Sequence, residues 1–155
     1  MRRAKGFSLI ELLIVVAIIL IIAAIAVPSF LRSRLMANES SAVASIRTIN
    51  TAMISYNSSY PTVGFAANLT ALGGTCTGTV VPSSATACLI DSQLASGSKS
   101  GYTFAATGTS GSYITYGNPV APNGTGVRSF CSVQDTIVRV SLTPLASCDG
   151  SMTPQ

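Results

Sequence analysis

Four cysteines are the residues of this 155-residue chain with the clearest chemistry. They are Cys76, Cys88, Cys131 and Cys148. A zinc site would need four scattered thiolates, because no CxxC pair occurs and histidine is absent. An even set of cysteines without these features favours disulfides formed in an oxidising compartment. The nearest-neighbour pairing, Cys76–Cys88 with Cys131–Cys148, is our hypothesis, and the sequence alone does not establish it.

The remaining titratable residues do not form a catalytic constellation. Histidine is absent and the five acidic residues are dispersed along the chain, so general acid–base chemistry has no paired groups to use. No glycine-rich loop of the P-loop or dinucleotide-binding type occurs. Asp91, Asp135 and Asp149 are too sparse for a calcium site. We therefore expect a protein that is not an enzyme and that holds no metal and no cofactor.

The positive charge of the chain is concentrated at its start. The formal net charge is +4 and the pI is near 9.1, but Arg2, Arg3 and Lys5 lie within the first six residues. Without them the chain is almost neutral, and no basic stripe remains that would bind nucleic acid. We therefore expect no general nucleic-acid partner.

Glu11 is the one charged residue in the apolar run of residues 7–27. A helix of that length covers about 30 Å, the thickness of the hydrocarbon core of a bilayer. Apolar side chains occupy every side of it, so the run belongs in lipid or among other apolar helices. A carboxylate in that setting costs about 2.5–3.5 kcal/mol. Such a residue needs a partner.

Two ordinary interpretations of the run leave Glu11 without a partner. The first is a cleavable secretory signal, with basic residues 2–5 before the apolar run and small residues at 24–26 as a cleavage site. The second is a plain signal anchor that holds a monomeric domain at the membrane.

Residues 5–12, which have the sequence KGFSLIEL, support a third interpretation. With the basic leader, the unbroken apolar run and Pro28 directly after it, they resemble the processing motif of type IV prepilins and of the pseudopilins of type II secretion systems. The resemblance is close over about the first 55 residues. It implies that a prepilin peptidase cuts between Gly6 and Phe7 and methylates the new amine of Phe7.

The same resemblance supplies a partner for Glu11. It implies that the carboxylate faces the amine of Phe7 in a neighbouring copy of the chain during filament assembly. Two opposite charges that are each costly in an apolar core become tolerable when paired, and the pair fixes the axial step between copies. In the family, a proline at the position of Pro28 accompanies a bend and local loss of helix. The implied partners are the chain itself, the prepilin peptidase, an inner-membrane assembly platform and a motor ATPase.

The helix is predicted to continue beyond Pro28 to about Asn57, where residues 57–61 stop it. Apolar residues at steps of three and four form a stripe that should pack on a globular domain. They are Leu31, Leu35, Val43, Ile46, Ile49, Met53, Tyr56 and Tyr60. The polar residues that we place on the opposite side are Arg32, Asn38, Glu39, Ser45 and Asn50. Glu39 and Arg47 are expected to face solvent as exposed charges, and the alternative is that they pair with neighbouring subunits.

The C-terminal part has strand patterns after a long loop at 61–100, which has one short helical segment near 89–94. Residues 102–105 and 113–116 flank one turn, and residues 127–133 and 137–142 flank another. The last strand should direct Val138, Val140 and Leu142 to one face. We predict an α+β fold in which the long helix packs against an antiparallel sheet of three or four strands.

This region also resembles the pilin domain, in the GYTF strand at 101–104 and in residues 125–130. The turn at 133–136 lacks the glycine that many relatives carry there, which weakens the case for a calcium site. A Cys131–Cys148 bridge would tie the C-terminal loop to the sheet, like the C-terminal disulfide loop of type IV pilins.

The predicted organisation is a leader at 1–6, a membrane and filament-core helix at 7–27 and an outward domain at 28–155. The resemblance implies a structural subunit of a type IV pilus, in the inner membrane before assembly and extracellular afterwards. The alternatives are a pseudopilin of a type II secretion system and a monomeric membrane-anchored binding domain.

Overall fold

The structure, a computed structural model, describes residues 7–74 and 81–155 and divides into two compact units, Met1–Arg34 and Leu35–Gln155. Helix α1, Leu9–Ser59, contributes to both units. The predicted helix agrees with it to within two residues at each end.

In the first unit none of the described residues is buried. The carbonyl of Ser8 accepts hydrogen bonds from the backbone N–H groups of Glu11 and Leu12 at 3.1 and 3.2 Å, which starts the helix. Pro28 lies inside α1 and does not end it. Its ring nitrogen has no hydrogen, so the helix lacks one backbone hydrogen bond at this point.

The second unit contains two further helices, each a single turn. Helix α2 spans Leu69–Leu72 and helix α3 spans Ser92–Ala95. The side chains of Asn68 and Asp91 cap them, accepting hydrogen bonds from the N–H groups of Ala71 and Leu94. Such caps satisfy backbone donors that have no partner inside the helix. Residues 61–74 and 81–100 therefore contain two helical turns where the sequence predicted a long loop with one short helix, and α3 lies close to that expected helix.

An antiparallel sheet of five strands follows in the order β1-β2-β3-β4-β5. The strands are β1 Ser98–Lys99, β2 Tyr102–Gly108, β3 Tyr113–Pro119, β4 Ser129–Val133 and β5 Arg139–Ser141. The central hairpin pairs Tyr102 with Pro119 and Gly108 with Tyr113. The prediction of three or four strands missed β1, which is only two residues long.

The core of the second unit lies between α1 and the sheet. From the helix it takes Val43, Ile46, Ile49, Met53 and Tyr56. From β2, β3 and β4 it takes Tyr102, Phe104, Ala106, Tyr113 and Phe130. Alternate residues of β2 and β3 are buried, as expected for strands with one face on a core. The predicted α+β arrangement of a long helix on a small antiparallel sheet is confirmed.

Several positions differ from the prediction. Leu31 is exposed and lies in the first unit, so the buried stripe begins later. Glu39, Ser45 and Asn50 were expected on the solvent side of the helix and are buried. Leu142 was expected to point inward and is 77% exposed, because β5 ends one residue before it.

Candidate functional site

The sequence-predicted site at the N-terminus begins with Phe7 and Glu11. Phe7 is exposed, and Glu11 lies in the first turn of α1, where the helix dipole favours a negative charge. Within the described part of the chain, the Glu11 carboxylate has no hydrogen-bond donor and no salt bridge. Gly6 and the rest of the predicted leader lie outside the described residues.

The apolar run around Glu11 is fully accessible. Helix α1 is long and apolar enough to cross a membrane by length and composition, and none of its most apolar 18-residue window is buried. This surface consists of large aliphatic side chains that a water-soluble monomer does not expose in a continuous patch. Such a helix requires lipid or other apolar helices around it.

The C-terminal cysteines form the disulfide that was predicted. Cys131 of β4 is bonded to Cys148, with their Cα atoms 5.7 Å apart. The bond fastens the segment after β5 to the sheet, so the predicted Cys131–Cys148 pairing is confirmed. Cys76 lies outside the described residues, and the Cys76–Cys88 pairing stays a prediction.

The disulfide holds a C-terminal tail that covers the edge of the sheet. The N–H of Val140 donates to the carbonyl of Thr153 at 3.0 Å, and the N–H of Gln155 donates to the carbonyl of Val138 at 2.9 Å. Pro154 lies between these two contacts and cannot donate a further hydrogen bond. The tail thereby occupies a strand edge that would otherwise be open to pairing with other chains.

Arg139 connects the disulfide loop to the β4–β5 turn. It is only 4% exposed and forms a salt bridge with Asp135. Its Nε donates to the carbonyl of Gly150 at 3.2 Å. The hydrogen bonds from Arg139 hold the pKa of the Asp135 carboxyl below its usual range, despite partial burial. The pair stays charged at neutral pH and keeps this end of the domain in place.

Glu39 forms a second buried contact that the sequence did not predict. Its Oε1 accepts hydrogen bonds from the N–H groups of Val127 and Arg128 at 2.9 and 3.1 Å. Its Oε2 accepts from Nε of Arg128 at 2.8 Å. Next to it, Nδ2 of Asn38 donates to the carbonyl of Thr125 at 2.8 Å. Two adjacent helix residues thus fasten the segment before β4 onto α1.

Burial and hydrogen bonding act on the Glu39 carboxyl in opposite directions. Desolvation raises its pKa, whereas the hydrogen bonds from Val127 and Arg128 and the charge of Arg128 lower it. The lowering effects are larger in sum, so the pKa lies below its ordinary value. No local sequence pattern identifies this role, because the partner is 89 residues away.

No metal centre is formed by the described residues, since no group of three or more His, Cys, Asp or Glu side chains converges among them.

Comparison with known proteins bears on the N-terminal segment. Residues 1–27 match the family described by the prokaryotic N-terminal methylation motif. The type IV wide pilus major component PilA4 of Thermus thermophilus is 62% identical over 39 residues, which cover 25% of this chain and 30% of that protein. The type IV major pilin protein PilA of Myxococcus xanthus is 46% identical over 54 residues, which cover 35% of this chain and 24% of that protein.

The N-terminal part of the chain is similar to type IV pilins. The methylation motif and both relatives agree on this, and the long helix packed on a small antiparallel sheet is the pilin fold. The named relatives are structural components of filaments, which supports the expectation that this pilin-like chain is not an enzyme.

The likeness is limited in extent. The pilin-like chain spans less than a third of the length of the two relatives that it matches. No solved structure matches it.

Proposed function

We propose that the chain is the structural subunit of a type IV pilus filament. One observation carries the proposal: the apolar part of α1, up to residue 27, is long enough to cross a bilayer and is exposed on every side. Its single acid, Glu11, has no partner within the described residues. The match of residues 1–27 to the methylation motif and the two pilin relatives support the same function.

The exposed helix accounts for two successive environments. As a newly inserted protein, the chain holds residues 7–27 in the inner membrane as a single span, with the leader on the cytoplasmic side. In the filament, the same side chains pack against the helices of other copies. Both environments remove the large exposed aliphatic surface from water, which is worth about 25 cal/mol per Å². Because this gain is common to the bilayer and the filament, it does not by itself select one of them.

Glu11 selects the way in which copies join. Removal of residues 1–6 between Gly6 and Phe7 by a prepilin peptidase creates a positive amine on Phe7, which the enzyme then methylates. The Glu11 carboxylate of one copy pairs with the Phe7 amine of the next. Because each charge is costly alone in an apolar core, only the register that joins them is stable.

Residues 28–155 form the part that faces outward. The Cys131–Cys148 disulfide supports a location on the non-reducing side of the membrane, since disulfides persist there. Pro28 lies where the apolar run ends and α1 lacks a backbone hydrogen bond, so it is the point at which the helix lengthens or bends during assembly. A motor ATPase and an inner-membrane platform would drive the extraction of the subunit from the bilayer.

Electron microscopy of material sheared from cells, with N-terminal sequencing and intact-mass measurement of the subunit, tests this function. The expected result is long fibres whose subunit begins at an N-methylated Phe7. A mature chain that begins at Met1 or at Val27, or that stays monomeric when concentrated without detergent, would overturn it. Correct processing without surface fibres would favour the pseudopilin alternative.

A further inference from the structure

Most acidic residues of the chain have an ion-pair partner, but within the described residues one acid and one exposed cation of the second unit do not. These two residues point to a second contact between subunits. All five acidic residues lie in the described part of the chain. Three of them are ion-paired within the second unit, as Glu39–Arg128, Asp91–Lys99 and Asp135–Arg139. Glu11 is assigned above to the Phe7 amine. Among the described residues, Asp149 is then the remaining acid without a salt bridge.

Arg47 is the complementary cation in the same unit. It is exposed on α1 and its guanidinium has no hydrogen bond or salt bridge to any described residue. Arg32 and Arg34 also lack an ion pair there, but they lie in the first unit beside the apolar run.

Arg47 lines an open cavity of about 350 Å³ between α1 and the β4–β5 turn. The other lining residues are Asn50, Thr51, Ile54 and Thr136. In the wall, Thr51 Oγ1 donates to the carbonyl of Arg47 at 3.1 Å and Asn50 Nδ2 donates to that of Thr136 at 3.4 Å, while the buried Asn50 Oδ1 accepts no hydrogen bond from the described residues. The guanidinium is therefore the charged group available to an occupant, and it favours a carboxylate.

Asp149 presents such a carboxylate in a fixed position. It follows Cys148, which the disulfide holds on β4, and it is exposed. Its Oδ1 accepts from the N–H of Ser151 at 3.1 Å and its Oδ2 from the Ser151 hydroxyl at 2.9 Å. Each oxygen keeps room for a second donor. These hydrogen bonds, together with the charge of Arg139, keep the Asp149 pKa below its usual range, so the group is ionised at neutral pH.

We propose that the Arg47 cavity of one copy receives the Asp149 carboxylate of a neighbouring copy in the filament. The contact rests on the proposed function and adds an interface between outward domains to the one formed by the N-terminal helices. It joins two different patches of the same chain, which makes it heterologous, and heterologous contacts are the kind that propagate open helical assemblies. Pairing also removes an unbalanced charge from each side of a surface that packing would partly desolvate.

Charge reversal in the full-length chain tests the contact, with the mass of sheared fibres per cell as the readout and the membrane-bound pool as a measure of folding and insertion. Arg47→Glu and Asp149→Arg should each lower fibre mass roughly tenfold, because like charges then face each other across the interface. The double variant should recover most of the wild-type fibre mass. Lys99→Glu is the control, since it reverses a partly exposed cation whose partner, Asp91, is in the same chain.

Neutral variants keep the test valid where a reversed charge disturbs folding. Asp149→Asn retains an acceptor for Ser151, and Arg47→Gln retains much of the side chain. If the contact exists, the two neutral changes together should lower fibre mass no more than either alone. Single variants that assemble like the wild type, or a double reversal no better than the worse single one, would overturn the contact and leave the pilus function intact. A wild-type chain that forms no fibres would overturn both.

Discussion

Glu39 and Arg128 lie 89 residues apart in the sequence and form an ion pair in which the Glu39 side chain is buried and the Arg128 side chain is exposed, with Oε2 of Glu39 2.7 Å from Nη2 of Arg128. The same carboxylate accepts the backbone N–H groups of Val127 and Arg128. The Arg128 guanidinium also lies 5.7 Å from the centre of the Phe130 ring, within reach of a cation–π contact. The Glu39 side chain therefore joins α1 to the segment that leads into β4.

Replacing Glu39 by alanine should lower the free energy of unfolding by about 2–4 kcal/mol, because two backbone N–H groups and a guanidinium lose their acceptor. The loss is smaller than for a fully buried pair, since the Arg128 side chain is 44% exposed. Denaturant unfolding of the full chain in detergent measures it. Lys99→Ala breaks an exposed pair and should cost less than about 1 kcal/mol. Equal losses in the two variants would contradict the role given to Glu39.

Stability should also depend on pH through Glu39. Its folded-state pKa lies below the ordinary 4.5, so its contribution is complete above about that pH and is lost as the pH falls through the folded-state pKa. Asp91, Asp135 and Asp149 have lowered pKa values and act in the same direction. The difference between wild type and Glu39→Gln isolates the Glu39 contribution. That difference should shrink as the solution is acidified, and a constant difference down to low pH would contradict the assignment.

Gly126 is expected to tolerate no side chain. A Cβ at this position would lie 2.0 Å from Oη of Tyr102, which is fully buried and donates to the carbonyl of Arg128 at 2.7 Å. Gly126→Ala should therefore cost about 1–3 kcal/mol through overpacking. Gly111→Ala is the matched control, because a Cβ there meets nothing within 4 Å, and it should change stability by less than about 0.5 kcal/mol. Thermal unfolding compares the two, and similar midpoints would contradict the packing described.

Removing the Cys131–Cys148 disulfide should destabilise the second unit and release its tail. With a sequence separation of 17, the chain-entropy estimate is about 3 kcal/mol for the double alanine variant. Hydrogen exchange should be faster at the amides of Val140 and Gln155, which bond the tail to β5 and to the residue before it. The Phe104 amide, bonded to Gly97, should keep more of its protection. Unchanged exchange at Val140 and Gln155 would show that the tail does not need the disulfide.

Repeating patterns allowed the sequence to predict the main elements. The steps of three and four from Val43 to Tyr56 placed the buried side of α1, and the strand-forming residues at 102–105 and 113–116, on either side of a glycine-containing turn, placed the central hairpin. Both patterns are local consequences of backbone geometry, so they can be recognised without knowing the fold. The short helix expected near residues 89–94 lies close to α3, whereas α2 was not predicted, although its cap Asn68 is a residue type typical of helix starts.

Long-range pairings explain what the sequence could not predict. The helical pattern places Glu39 among the solvent-facing positions. Its burial is stable because Arg128 and the N–H group of Val127 donate hydrogen bonds to its carboxylate. The hydrogen bonds of Thr153 with β5 and of Gln155 with Val138, just before β5, likewise follow from the path of the chain after Cys148. At the N-terminus, Phe7 and Glu11 were recognised from residue types and spacing, while their pairing between copies remains a proposal.

Replacement of Glu11 by alanine is the most direct test of the central claim that this carboxylate joins one copy to the next. The account predicts that the Glu11→Ala chain inserts into the membrane at the wild-type level and loses its leader, but forms less than about a tenth of the wild-type fibre mass, because the cost of the unpaired amine is no longer offset. Ile18→Ala, a change of similar size in the same apolar run, should still assemble. Fibres at the wild-type level from the Glu11→Ala chain would contradict the account.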